Sequence, residues 1–286
     1  MKAFIEILKV FFLGIVEGIT EWLPVSSTGH MILVDEFLKL NVSDEFKEMF
    51  FVVIQLGAIL AVPILFWKKL VPFSKEKSEA EKKQIYSLWL KVIVGVIPAG
   101  VLGVLLDDFL DDYVFTERGN IRAIVVSVAL IVYGIAFIIV EHFKKEKSFR
   151  VESVYDITYK DALVIGAYQV LSLIPGTSRS GSSILGGMLT GVSRSAASEF
   201  SFFMAIPIMA GASGLKVLKF IRDGFTATPF ELLLLAIGIL VSFVVSMVAI
   251  NFLMSFVKKH NFKPFGIYRI ALGVIVLLYF LIKTIA

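Results

Sequence analysis

Cysteine is absent from the 286 residues, which excludes disulfides and thiolate chemistry and removes any redox clue to compartment. Charge is scarce: Asp, Glu, Lys and Arg make up only 18% of the chain. Histidine is scarcer still, with three in all, and only His30 stands inside a motif. His142 and His260 lie in lysine-rich loops and read as solvated. No small-residue cleavage site follows the first apolar run, which Glu6, Lys9, Glu17 and Glu21 interrupt. The N-terminus is therefore expected to be retained rather than to serve as a signal peptide.

What fills the chain instead is apolar. Hydrophobic residues account for 57%, mean hydropathy is +0.86, and 26 residues are phenylalanine. That composition is that of a polytopic membrane protein. The net charge of +4 and pI near 9.1 do not point to nucleic acid, because the lysines cluster in short loops between apolar runs, where they orient a protein in a bilayer. A spanning helix needs roughly 20 apolar residues. Six runs qualify, at about 48–66, 86–106, 121–140, 199–221, 231–256 and 266–285.

Two further stretches share one unusual plan. Gly14 to Leu33 reads GIVEGITEWLPVSSTGHMIL, and Gly166 to Leu185 reads GAYQVLSLIPGTSRSGSSIL. Each begins with Gly, places an acidic or amide residue three further on, breaks at a proline and resumes through hydroxyl residues. Gln169 stands where Glu17 does, and Pro175 answers Pro24. Broken backbone at membrane depth is tolerated only where protein or water shields it. Both stretches are therefore expected to form re-entrant hairpins, over 3–40 and 160–192, each followed by three spanning helices. Three is odd, so the halves 1–150 and 151–286 start on opposite sides. The predicted fold is an all-α polytopic membrane protein with six transmembrane helices and two re-entrant helix hairpins in an inverted-topology repeat.

The basic loops set the orientation. Lys68, Lys69, Lys75, Lys77, Lys82 and Lys83 follow the first span; Lys144, Lys145, Lys147, Arg150 and Lys160 link the halves; Lys258, Lys259 and Lys263 precede the last span. All share one face in this topology, opposite the acidic loop Asp107, Asp108, Asp111, Asp112 and Glu117. The lysine face is expected to be cytoplasmic and both termini external.

Glu17 and Glu21 are four residues apart and project from one helix face. A carboxylate at membrane depth is costly unless paired or hydrated. Two of them suit oxygen-ligated Mg²⁺ or Ca²⁺, or one serves as general base, the plain alternative being an interhelical pair with Arg179. Ser26, Ser27 and Thr28 follow Pro24 at a helix N-terminus, as Thr177, Ser178, Arg179 and Ser180 follow Pro175. Helix N-termini bind anions, although Ser and Thr are also ordinary caps. Arg179 offers a planar fork to phosphate, unless it is spent on Glu17 or Glu21. His30, within a turn of Ser26 and Ser27, suits acid–base or nucleophilic work. Together these parts suit phosphoryl transfer on a substrate with an anionic head and an apolar tail.

At these residues the sequence resembles the bacterial undecaprenyl-diphosphatase family, or bacitracin-resistance proteins, over essentially the whole chain. The match is carried by EGITEWLPVSSTGH, Glu17 to His30, and PGTSRSG, Pro175 to Gly181. Gln55-Leu56-Gly57 and Glu199-Phe200-Ser201-Phe202 with Pro207 are lesser echoes. The resemblance implies a multi-pass protein of the bacterial inner membrane that hydrolyses undecaprenyl diphosphate to the monophosphate and phosphate. It implies divalent-metal dependence, a site open to the external face, and bacitracin resistance when abundant. The family's functional positions fall on Glu17, Glu21, Ser26, Ser27, Thr28, His30, Ser178 and Arg179. On this reading Arg179 and the hairpin N-termini, including Thr28, Thr177 and Ser180, grip the diphosphate. Glu17 and Glu21 hold the metal, and Ser27 attacks as His30 draws off its proton. Ser26, His30 and a metal-bound water stay open as the nucleophile, and monomer and homodimer stay open as the assembly.

The main rival is a polyprenyl-phosphate transporter or flippase, since inverted repeats with broken helices are carrier architecture. The other lipid-phosphatase superfamily, with paired histidines, conflicts with a single motif histidine. A channel conflicts with polar residues gathered in one cluster.

Overall fold

The computed structural model describes residues 2–74, 76–106, 121–143 and 149–285. Among them are ten α-helices of eleven residues or more. In chain order these are α1 (Lys2–Thr20), α2 (Ser27–Phe37), α3 (Asp44–Leu65), α4 (Glu79–Leu105) and α5 (Ile121–Phe143), then α6 (Tyr159–Val170), α7 (Arg179–Leu189), α8 (Arg194–Arg222), α9 (Pro229–Val257) and α10 (Lys263–Ile285). Six of them, α3, α4, α5, α8, α9 and α10, are long and apolar enough to cross a membrane. These are the six expected runs, and the chain is a multi-pass membrane protein. Several helices start some residues before the apolar run does, because polar caps extend them outward. Ser78 and Glu81 close a capping box at α4, and Thr228 and Glu231 do so at α9, where Pro229 opens the helix. Large apolar side chains on the outer faces, among them Leu240, Val248, Ile267 and Leu278, remain more than half exposed to the protein's surroundings, as a lipid-facing surface requires.

Both motif stretches are broken helices. Residues 21–26 interrupt α1 and α2, and a short 3₁₀ turn with the segment 174–178 interrupts α6 and α7. Each pair doubles back on itself. The Asn41 amide donates to Glu6 Oε2 at 3.0 Å and Lys9 Nζ to the Lys39 carbonyl at 2.7 Å, so the end of the first pair lies beside its start. In the second pair Arg150 donates to Asp161 at 2.5 Å and to the Thr190 carbonyl at 3.3 Å, while Val151 bridges to Val192.

The helix packing repeats between halves. α1 lies on α9 as α6 lies on α4, and α5 on α10 and α3 on α8 pair each element with its counterpart. Small residues allow the close crossings. A Cβ on Gly166 of α6 would collide with the Gly95 carbonyl of α4, and one on Gly14 of α1 would stand 3.1 Å from the Gly238 carbonyl of α9.

The basic segments converge on one end. Lys69 pairs with Glu199 at 2.7 Å, Tyr155 donates to the Lys69 carbonyl, and Lys68, Lys69 and Lys258 line one cavity of about 510 Å³. At the same end Arg194 makes a two-point ion pair with Glu141, which also accepts the Phe262 amide at 2.8 Å. Lys75, Lys144, Lys145, Lys147 and the acidic residues Asp107, Asp108, Asp111, Asp112 and Glu117 lie outside the described residues.

Candidate functional site

The two breaks meet. Ser180 Oγ, in the first turn of α7, donates to the Glu21 carbonyl at 3.1 Å. Arg179 Nη2 donates to Glu21 Oε1 at 2.9 Å, and Ser27 Oγ, at the start of α2, donates to Glu21 Oε2 at 2.8 Å. One carboxylate thus receives a serine from its own break and an arginine from the other. The arginine–glutamate pair anticipated as the plain alternative is what the molecule forms here. Both partners are nearly buried, with side chains 12% and 8% exposed.

Both terminal nitrogens of Arg179 are held. Its Nη1 donates to the Ser201 carbonyl at 2.8 Å, its guanidinium carbon lies 5.6 Å from the Trp22 ring centroid, and its buried Nε has no hydrogen-bond partner. Phe202 meets the Trp22 ring edge-on at 5.1 Å. The Glu199–Phe202 motif therefore supplies a backbone acceptor and an aromatic wall.

Ser26 and Ser178 cap α2 and α7, accepting from the amides of Gly29 at 3.3 Å and Gly181 at 3.1 Å. Among the described residues they are the only non-glycine residues with positive φ, at 74° and 75°. Such backbone persists only where its surroundings over-determine it, and it clusters at functional sites. Equivalent positions in the two breaks carry the same distortion. Ser178 Oγ also lies 3.2 Å from Ser180 Oγ. Thr28 is half-buried in the first turn of α2, and Thr177 is buried just before the second cap.

His30 is placed differently from the expectation that it serves Ser27. Its Nδ1 lies 2.7 Å from the Ser26 carbonyl and its Nε2 2.6 Å from the Tyr268 hydroxyl. A carbonyl only accepts, so Nδ1 carries the proton, and in the neutral ring Nε2 accepts from Tyr268. The acceptor beside Ser27 is Glu21, because the turn aims the serine back along α1.

Glu17 is 1% exposed, one turn before Glu21, and its Oε1 is buried with no hydrogen-bond partner. An orphaned carboxylate oxygen one turn from a second carboxylate fits a divalent cation. Among the described residues no three His, Cys, Asp or Glu gather to hold one, so two carboxylates at most would come from the protein. Mg²⁺ is commonly held this way, with substrate phosphates and water filling the remaining positions. In the second half Gln169 is fully buried, and neither amide atom has a partner.

Sequence reasoning missed Tyr268 and Arg269. Arg269 is fully buried and donates to the carbonyls of Pro24 at 3.1 Å, Gly176 at 2.9 Å and Thr177 at 2.9 Å. A signal was available: an arginine inside an apolar spanning run is rare and usually functional. The cavity of about 510 Å³ at the lysine end is lined by Glu199 but by no residue of Glu17–His30 or Pro175–Gly181.

The chain is similar to known proteins over almost its whole length. The family model described as bacitracin resistance protein BacA matches residues 10–275. An undecaprenyl-diphosphatase of Enterococcus faecalis is 58% identical over 277 residues, covering 96% of this chain and 97% of its own. One of Desulfitobacterium hafniense is 56% identical over 99% of each chain. Undecaprenyl-diphosphatase 1 of Clostridioides difficile is 56% identical over 96% of this chain and 97% of its own.

Proposed function

The chain belongs to the bacitracin resistance protein BacA family, and from that premise we propose how it works as an undecaprenyl-diphosphatase. It is an integral membrane hydrolase that cleaves undecaprenyl diphosphate to undecaprenyl phosphate and inorganic phosphate. Recycling of the lipid carrier for peptidoglycan synthesis and resistance to bacitracin follow from that activity. The carrier reading is not favoured, since each of these relatives is named for hydrolysis.

The observation that carries the mechanism is the convergence of Ser27 and Arg179 on Glu21. Glu21 takes the proton of Ser27 as its Oγ attacks the terminal phosphorus. The anhydride P–O bond breaks and the lipid monophosphate leaves with its electron pair. Glu21 gives up its proton with the departing lipid monophosphate, takes one from the water that attacks the phosphoserine and returns it to the Ser27 oxygen as inorganic phosphate leaves. Arg179 and the N-terminal amides of α2 and α7, with Ser26, Thr28, Thr177, Ser178 and Ser180 around them, face the developing charge. His30 holds the Ser26 carbonyl and so fixes the turn that aims Ser27. Glu17 and Glu21 would hold a divalent cation, Mg²⁺ or Ca²⁺, which supplies charge neutralisation for the diphosphate oxygens.

The two doubled-back pairs support re-entrant hairpins whose tips lie at membrane depth, and the exchange of packing partners supports two inversely oriented halves. The gathered lysines support a cytoplasmic lysine end in the bacterial inner membrane, with the first hairpin and the site opening outward.

Phosphate release from purified protein and undecaprenyl diphosphate in detergent tests the reading. Wild-type protein is expected to release phosphate and to lose that activity to a chelator. Glu21→Gln and Ser27→Ala are expected to lose about 10²-fold or more, the range for a positioned base or nucleophile. No release by the wild type would leave a carrier, and near-normal turnover by Ser27→Ala would remove serine as nucleophile.

A further inference from the structure

Arg269 belongs to neither motif, yet it touches both breaks. It lies on α10, an otherwise apolar spanning helix, and is fully buried. Nη1 reaches the Pro24 carbonyl, two residues before the distorted cap Ser26, and Nη2 reaches the carbonyls of Gly176 and Thr177, just before the distorted cap Ser178. Carbonyls at a helix break have no helical partner, and buried ones must find a donor elsewhere. One planar fork answers three of them from two segments at once, which the single ammonium of a lysine does not. No carboxylate pairs with Arg269 among the described residues; the Tyr133 ring lies 5.5 Å from the guanidinium carbon. A buried, unneutralised guanidinium is expensive. Its three hydrogen bonds all go to the two tips, while its buried Nε has no hydrogen-bond partner.

We propose that Arg269 is a positioning residue for the hydrolysis: its guanidinium fixes the two breaks against each other, and so sets Ser27 and Arg179 on the two oxygens of Glu21. The proposal rests on the phosphatase reading above. Arg269 acts through backbone geometry, not through contact with substrate. A small misplacement of reacting groups costs about 10²-fold in rate, and that is the effect expected here.

The experiment compares wild type, Arg269→Lys and Arg269→Gln, each purified and checked for a single folded species by melting temperature. Steady-state phosphate release from undecaprenyl diphosphate is then resolved into kcat and KM. Both variants are expected to lose about 10²-fold in kcat with KM changed by less than about threefold, and lysine is expected not to rescue glutamine's loss. Recovery by lysine would assign the residue to its charge and overturn the proposal. So would a folded variant with kcat near wild type, or a loss confined to KM. Failure of both variants to fold would assign Arg269 to fold stability alone, again overturning it. An inert wild type would instead sink the phosphatase reading.

Discussion

Ser26 and Ser178 occupy backbone that side-chain-bearing residues rarely adopt, at a cost of order 1–3 kcal/mol each. Glycine would relieve that strain, but serine brings a hydroxyl that caps the following helix, worth about 1 kcal/mol. Replacing Ser178 separates the two contributions. Ser178→Ala keeps the strain and loses the cap, so its apparent melting temperature should fall below wild type. Ser178→Gly loses the cap but sheds the strain, and should melt above the alanine variant. An alanine variant as stable as the glycine one would mean the positive φ carries no penalty. The hydroxyl caps were legible in the sequence, because Ser and Thr after a proline mark a helix start. The strain was not, since nothing local in SSTG or TSRSG demands positive φ. It follows from how the two breaks are held together by residues far along the chain. The partner of Ser27 was hidden for the same reason: His30 is its near neighbour in sequence, but the turn hands it to Glu21.

Helices carry the next level of specification. The six spans were legible because length and apolarity alone identify them, and the two broken pairs because proline and hydroxyl residues interrupt otherwise apolar stretches. Which helix lies on which was not legible, since crossings are set by small residues whose partners are remote. Gly166 is such a contact, with the backbone of α4 at Gly95 filling the space a methyl group would need. Gly166→Ala should therefore push α6 from α4 and lower stability by about 1–3 kcal/mol, the usual range for overpacking. Since α6 leads into the second break, turnover should fall with it. Melting and phosphate release both at wild-type values would show that α6 adjusts freely. Tyr268 and Arg269 escaped notice because they sit within a run that reads as an ordinary span, whereas their partners are remote in the chain, His30 and Pro24 near its start and Gly176 and Thr177 in its middle.

For the whole molecule, the lysine end is tied by Glu141, which is 1% exposed and joins α5, the start of α8 and the start of α10. Removing one partner of a buried ion pair costs about 3–5 kcal/mol, because the other charge is left uncompensated. Glu141→Gln should therefore melt well below wild type, while its folded fraction keeps a normal KM. Unchanged melting would mean Arg194 finds another acceptor. The meeting of the two breaks shows what a doubled frame permits. The residue just inside the first cap is Ser27 and just inside the second is Arg179, so matching sites in two look-alike segments hold a hydroxyl and a cation. Glu21, shared by both, has no acidic twin after Gln169. The site is thus handed despite its near-symmetric scaffold: the first break holds a carboxylate that can accept protons, and the second a guanidinium that can only attract anions. On the proposed mechanism a diphosphate would have one productive way round, with its outer phosphorus toward Glu21.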